Sequence, residues 1–170
     1  MKILSTLSLG LFLITSSAFS EDTAFTKPTI DIGVVVTDLE ASLKFYKEVI
    51  GFTEAGSFTA SPEVANGAGL SDVTEGIVIK KLKLGDGEGA TTLKLMQFGE
   101  PKKSDQTYIN STAGISYLTV FVKDTKAALA RAAKHDVKPL AKGPVDLGGG
   151  KAFLTVIKDP DGNFIEFVGP

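Results

Sequence analysis

The sequence predicts one α+β domain built from two copies of a strand–helix–three-strand module, and three observations predict it. First, IDIGVVVTDLEASL from Ile30 matches SYLTVFVKDTKAAL from Ser116 at a constant offset of 86 residues, so Asp31 falls on Tyr117 and Asp38 on Asp124. Second, in each half β-branched, strand-like runs surround a single helical run. Third, the repeat is too long and too rarely repeated for a solenoid, which leaves a duplicated supersecondary unit.

Residues 1–20, MKILSTLSLGLFLITSSAFS, place Lys2 before an apolar stretch that ends in Ala18-Phe19-Ser20. That is the layout of a cleaved secretory signal, too short for a good membrane span. It predicts a secreted or periplasmic protein with no stable span after cleavage. Cleavage leaves 150 residues and, with Lys2 gone, a formal charge of −3. That is chain enough for one real core, and the absence of a basic cluster excludes nucleic acid as a partner. There is no cysteine, and His135 is the sole histidine. Thiolate catalysis, thiolate zinc sites and any site needing two imidazoles from one chain are therefore excluded.

After a polar leader, 21–28, the single domain 29–168 divides into a module 29–98 and a module 114–168, joined by a polar linker. In the first module TIDIGVVV is a strand, and Thr37-Asp38-Leu39-Glu40 reads as a capping box opening a helix. That helix carries Leu39, Leu43, Tyr46 and Ile50 on one stripe and stops at Gly51. Strands follow near 52–59, over IVIKKLKL (77–84) and over TTLKLMQF (91–98), with a loop at 60–76.

In the second module GISYLTVFV leads into an alanine-rich helix with Leu129, Ala132 and Ala133 on its buried side. A weaker strand at 137–141, the glycine loop GPVDLGGG, and the strands KAFLTVIK and FIEFV complete it. Asp159-Pro160-Asp161-Gly162 is a type I hairpin turn that sets the register of FIEFV.

Strand parity then assigns faces. Ile30, Ile32, Val34, Val36, Leu93, Leu95, Leu118, Val120, Val122, Ile165 and Phe167 point to the helices. Asp31, Lys94, Tyr117 and Glu166 point away from them.

At these residues the chain resembles the vicinal oxygen chelate (VOC) superfamily, the glyoxalase and bleomycin-resistance proteins. The segments that carry the resemblance are IDIGVVVTDLEASLKFYKEVIGF, EVANGAGLSDVTEGIVIKKLKL, LKLMQFGEP, GISYLTVFVKD and LTVIKDPDGNFIEFV. The resemblance implies paired βαβββ modules whose curved mixed sheets surround one cleft, and a homodimer is common in the family. It also implies four cleft positions that supply His, Gln or Glu to a divalent metal. Here those positions hold Asp31, Lys94, Tyr117 and Glu166, and only Glu166 keeps a residue usual for the family.

A protonated lysine has no lone pair and repels a cation, and a neutral phenol is a poor ligand. No cofactor is therefore expected. The donors left for a divalent metal are the two carboxylates Asp31 and Glu166, a weak pair for a hard cation. The expected arrangement instead puts the Lys94 ammonium near the metal position, paired with Glu166 and Asp31, with the Tyr117 hydroxyl beside it. Met96, Phe98 and Phe121 fall on the same face and would line an apolar cleft suited to a small organic ligand.

The predicted function is thus an exported, metal-free small-molecule binder with Asp31, Lys94, Tyr117 and Glu166 as polar anchors. One alternative is a glyoxalase-type lyase or isomerase in which Glu166 and Lys94 are the catalytic candidates. The other is an interaction module that has lost its site. His135, at the end of a helix, is read as a cap, and Lys80, Lys81 and Lys83 as a solvated strand face.

Overall fold

The computed structural model describes Lys27 and residues 29–170. The predicted signal, and all of the leader except Lys27, lie outside the described residues. The first module contains β1 (Asp31–Val35), α1 (Leu39–Lys44), β2 (Thr53–Ala60), α2 (Pro62–Gly67), β3 (Ile77–Leu84) and β4 (Thr91–Met96). The second contains β5 (Tyr117–Phe121), α3 (Thr125–Ala133), β6 (Val145–Asp146), β7 (Phe153–Lys158) and β8 (Phe164–Gly169).

The two sheets have the same order, β1-β4-β3-β2 and β5-β8-β7-β6. In each, the first strand pairs parallel with the last and the other pairings are antiparallel. A parallel pair needs a crossover connection, and the helix of each module begins it. The α+β architecture of two βαβββ modules is therefore what forms. Among the described residues no helix is long and apolar enough to cross a membrane.

Parity holds where it matters for the core. Leu82, Leu93, Leu95, Ile157 and Phe167 are fully buried, and they join Val36, Tyr46, Val49 and Ala132 in one cluster shared by both modules. The helical stripe is wider than 3.6-residue spacing predicts. Phe45–Ile50 continues α1 as a π-helix, and Phe45, Tyr46, Val49 and Ile50 are all buried. Arg131 of α3 then donates to the Val49 and Ile50 carbonyls at 2.7 and 3.2 Å. These are orphan acceptors at a helix end, so the contact both caps the helix and ties the modules together.

The DPDGN turn makes the second tie. Gly162 N–H donates to Asp159 O, and Asp159 N–H to Asn163 O. With Gly162 at φ +88° this is a type I turn closed by a left-handed residue, a three-residue hairpin loop. Its two carboxylates turn inward. Asp159 accepts from the buried Tyr46 hydroxyl at 2.8 Å, and Asp161 accepts from the Thr37 amide, the Thr37 hydroxyl and Ser42 Oγ. Burial first, and the Asp159 carboxylate second, push the Tyr46 phenol far above its usual range, so it stays a neutral donor.

Several local expectations are corrected. Asp38, not Thr37, caps α1, accepting from Ala41 N–H at 3.0 Å, and Asp124 does the same for α3. Thr37 is thereby released to meet Asp161. The 60–76 loop contains α2, capped by Ser61 and opened by Pro62. Ile30 lies before β1 and is 77% exposed. On α3, Ala128 is buried and Ala133 exposed, because Asp124 sets the helix phase.

The strand expected at 137–141 does not form. The outermost strand is β6, inside the predicted glycine loop, and it is two residues long where β2 has eight. The segment before it instead lies against β7 through one bond, Leu140 N–H to Val156 O at 2.9 Å.

Candidate functional site

The edges of β1 and β5, which pair with no further strand among the described residues, border a common crevice lined by residues 32–35 and 115–118. Register places the predicted polar residues on either side of it. In the first sheet Gly33 stands opposite Lys94, and in the second Thr119 stands opposite Glu166. Gly33 offers no side chain, so the Lys94 ammonium reaches along the face to Asp31 Oδ2 at 2.9 Å. Thr119 does offer one, and its hydroxyl donates to Glu166 Oε2 at 2.8 Å.

The expected Lys94–Glu166 pair is therefore replaced by two separate contacts, one per sheet. Each charged group takes the partner that strand pairing brings within reach. Tyr117, at the crevice, is 45% exposed and forms no part of either contact.

Asp31 is held on both oxygens, by Lys27 and by Lys94. The hydrogen bond from Lys27, then that from Lys94, lower its pKa from 3.8 to about 2. A depressed folded value means that Asp31 stabilises the fold above 3.8 and loses that contribution as pH falls toward about 2. Replacing Lys94 by Met is expected to raise the Asp31 pKa, read by NMR titration of its carboxyl carbon. An unchanged titration would remove Lys94 from the pair. The side chains of Lys94 and Asp31 remain 31% and 23% exposed, so the pair contributes little to stability.

The four family positions do not make a metal donor set. An ammonium already neutralises Asp31, and the phenol of Tyr117 stands at another position. Among the described residues no three His, Cys, Asp or Glu side chains converge. Asp31 and Glu166 by themselves are a weak pair for a hard divalent ion, most of whose ligands would have to be water.

The expected apolar lining is also distributed differently. Met96 and Phe98 pack with Ala65, Ile77 and Ile79 under α2, and Phe121 is 79% exposed on β5. The apolar cavity, of about 640 Å³, lies on the second module. Leu154, Val156 and Phe164 form its floor, and Tyr108, Ile109, Leu140 and Val145 its walls. It exists because β6 is so short that the linker and the 140–145 segment, not a full strand, cover β7. Glu166 sits beside it, directly opposite Val156 on the neighbouring strand.

Lys158 crosses the floor over the Phe164 ring at 4.7 Å and donates to the Gln106 carbonyl. The signal for this cavity is present in KAFLTVIK. Thr155 and Ile157 face the core, so the equally apolar Leu154 and Val156 require cover on the other side.

Comparison with known proteins agrees with this fold. Glyoxalase I of Leishmania major, described as trypanothione-dependent, is 26% identical at a TM-score of 0.58, over 85% of this chain and 87% of that one. A glyoxalase family protein from Bacillus cereus is 19% identical at a TM-score of 0.67, over 87% and 96%. A mutant glyoxalase I from Zea mays is 17% identical at a TM-score of 0.61, and the match covers 82% of this chain but 44% of the maize chain. No curated protein matches the sequence. The family model for the Glyoxalase/Bleomycin resistance protein/Dioxygenase superfamily matches residues 30–167, nearly the whole of both modules, and the chain belongs to that superfamily.

Proposed function

We propose that this protein is an exported small-molecule binder of the glyoxalase type, working without the family's metal and holding a small, largely apolar organic ligand on the cleft face of its second module. The observation that carries the reading is the cavity of about 640 Å³ walled by Tyr108, Ile109, Leu140 and Val145, with Leu154 and Val156 beneath. An apolar pocket with few polar groups is the usual form of a small-ligand site. The nearby Glu166 carboxylate, oriented by Thr119, and the Lys158 ammonium are the groups that would orient the ligand. Export rests on the N-terminal sequence, and recovery of a mature chain lacking residues 1–20 outside the cytoplasm tests it.

Two measurements test the rest. The neutral dye Nile red is expected to bind the unmodified protein saturably and to be lost in Val156→Asp, which puts a carboxylate on the cavity floor. Equal binding by both proteins would empty the cavity of meaning. In metal analysis the unmodified protein is expected to hold no stoichiometric metal, and Lys94→Glu, which restores a carboxylate at the family position, is expected to gain binding. Stoichiometric metal in the unmodified chain would sink the metal-free reading.

The second reading is a glyoxalase-type lyase, favoured by the 26% identity to the Leishmania enzyme. It requires turnover in a thiol-dependent glyoxalase assay, abolished by Glu166→Gln.

A further inference from the structure

The cleft face of the first module carries an unusual arrangement of lysines. Lys81 of β3 and Lys94 of β4 stand directly opposite one another in an antiparallel pair, and Lys83 follows on the same face opposite Thr92. Leu82, Leu93 and Leu95, fully buried, occupy the other face, which confirms the direction of the lysines. Like charges directly opposite on a sheet are destabilising, so this face holds an unfavourable contact that nothing in the fold requires.

Local acids do not neutralise it. Asp31 takes Lys94 and Lys27, and among the described residues neither Lys81 nor Lys83 has a carboxylate within salt-bridge distance. Lys81 instead lies 6.0 Å from the Phe58 ring centroid. The three lysines Lys27, Lys81 and Lys83 line a cavity of about 630 Å³ together with Asp31, Glu88, Thr29 and Thr92. With the adjoining Lys94, four ammonium groups meet two carboxylates. That is an excess of two positive charges on one concave surface of a chain whose formal charge is −2. A concave surface focuses such a field.

We propose that this face binds a small doubly charged oxyanion, a phosphate or a dicarboxylate, with Lys81 and Lys83 as its charged contacts and the hydroxyls of Thr29 and Thr92 as neutral donors. The bound anion relieves the repulsion between Lys81 and Lys94 while Asp31 keeps Lys94 in place. The site shares no lining residue with the apolar cavity of the second module, so the two stand or fall separately.

The test titrates the purified protein by calorimetry with inorganic phosphate, with succinate and with uncharged dimethyl succinate. Saturable binding is expected for one or both anions, which tells phosphate from dicarboxylate, and none for the diester. The double variant Lys81→Gln/Lys83→Gln is expected to weaken binding roughly tenfold or more, since one charge-assisted hydrogen bond is worth that much. The charge-matched control Lys44→Gln/Lys47→Gln, on α1 and its π-helical continuation, is expected to leave binding unchanged. The anion is also expected to raise the melting temperature of the unmodified protein but not that of the first double variant. Failure of both anions to saturate, binding of the diester equal to that of the anions, or equal weakening by the control would overturn the proposal. If both anions fail while Nile red still binds, only this inference falls.

Discussion

Asp161→Ala is expected to destabilise the protein by about 3 kcal/mol, a fall in melting temperature of about 10 °C. The side chain is nearly inaccessible and accepts from the Thr37 amide, the Thr37 hydroxyl and Ser42 Oγ, all in the first module. Truncation leaves those donors with no acceptor in a site that water reaches poorly, and stranded buried donors cost more than a made hydrogen bond gains. Asn at the same position keeps one acceptor oxygen and should recover part of the loss. A double-mutant cycle with Thr37→Val checks the assignment. A coupling of about 1 kcal/mol or more is expected for groups in direct contact. Simple additivity would mean that the turn does not anchor the helix start.

Gly162→Ala, in the same turn, is expected to cost a similar amount for a different reason. Its φ of +88° lies in the left-handed region, where a Cβ costs about 1–2 kcal/mol. That Cβ would also lie 2.4 Å from the Ser104 carbonyl oxygen. The linker cannot easily retreat, because Ser104 N–H donates to Asp161 O at 2.8 Å and Lys103 to Pro160 O at 3.0 Å. Overpacking of this kind adds about 1–3 kcal/mol. Gly85→Ala is the matched control: its φ is +83° and nothing lies within 4 Å, so it should show the backbone cost alone. Denaturant melts that place the two variants together would show that the linker yields.

Both effects were half legible in the sequence. Pro at the second position and Gly at the fourth identify the turn, and two acids beside an apolar strand suggest something to bind. What they bind lies more than a hundred residues away, on a helix whose cap is Asp38 and not Thr37. The same division runs through the candidate site. Parity alone put Asp31, Lys94 and Glu166 on the faces away from the helices, because side-chain direction along a strand depends only on local backbone geometry. The pairing of Lys94 with Asp31, and of Glu166 with Thr119, depends on which strands lie side by side and in what register. No local pattern reports that.

The sequence by itself determined the duplicated module, the apolar faces and the turn, all of which follow from residue type and short-range periodicity. Only the tertiary structure decided the rest. Docking of the two modules turned Asp159, Asp161 and Arg131 into ties between them. Packing under α2 took Met96 and Phe98 out of the expected apolar cleft, and the shortness of β6 left the apolar cavity over Leu154 and Val156. The physical reason is that a strand's neighbours are selected by the packing of the whole core, so each charged group finds its partner only once that core has formed.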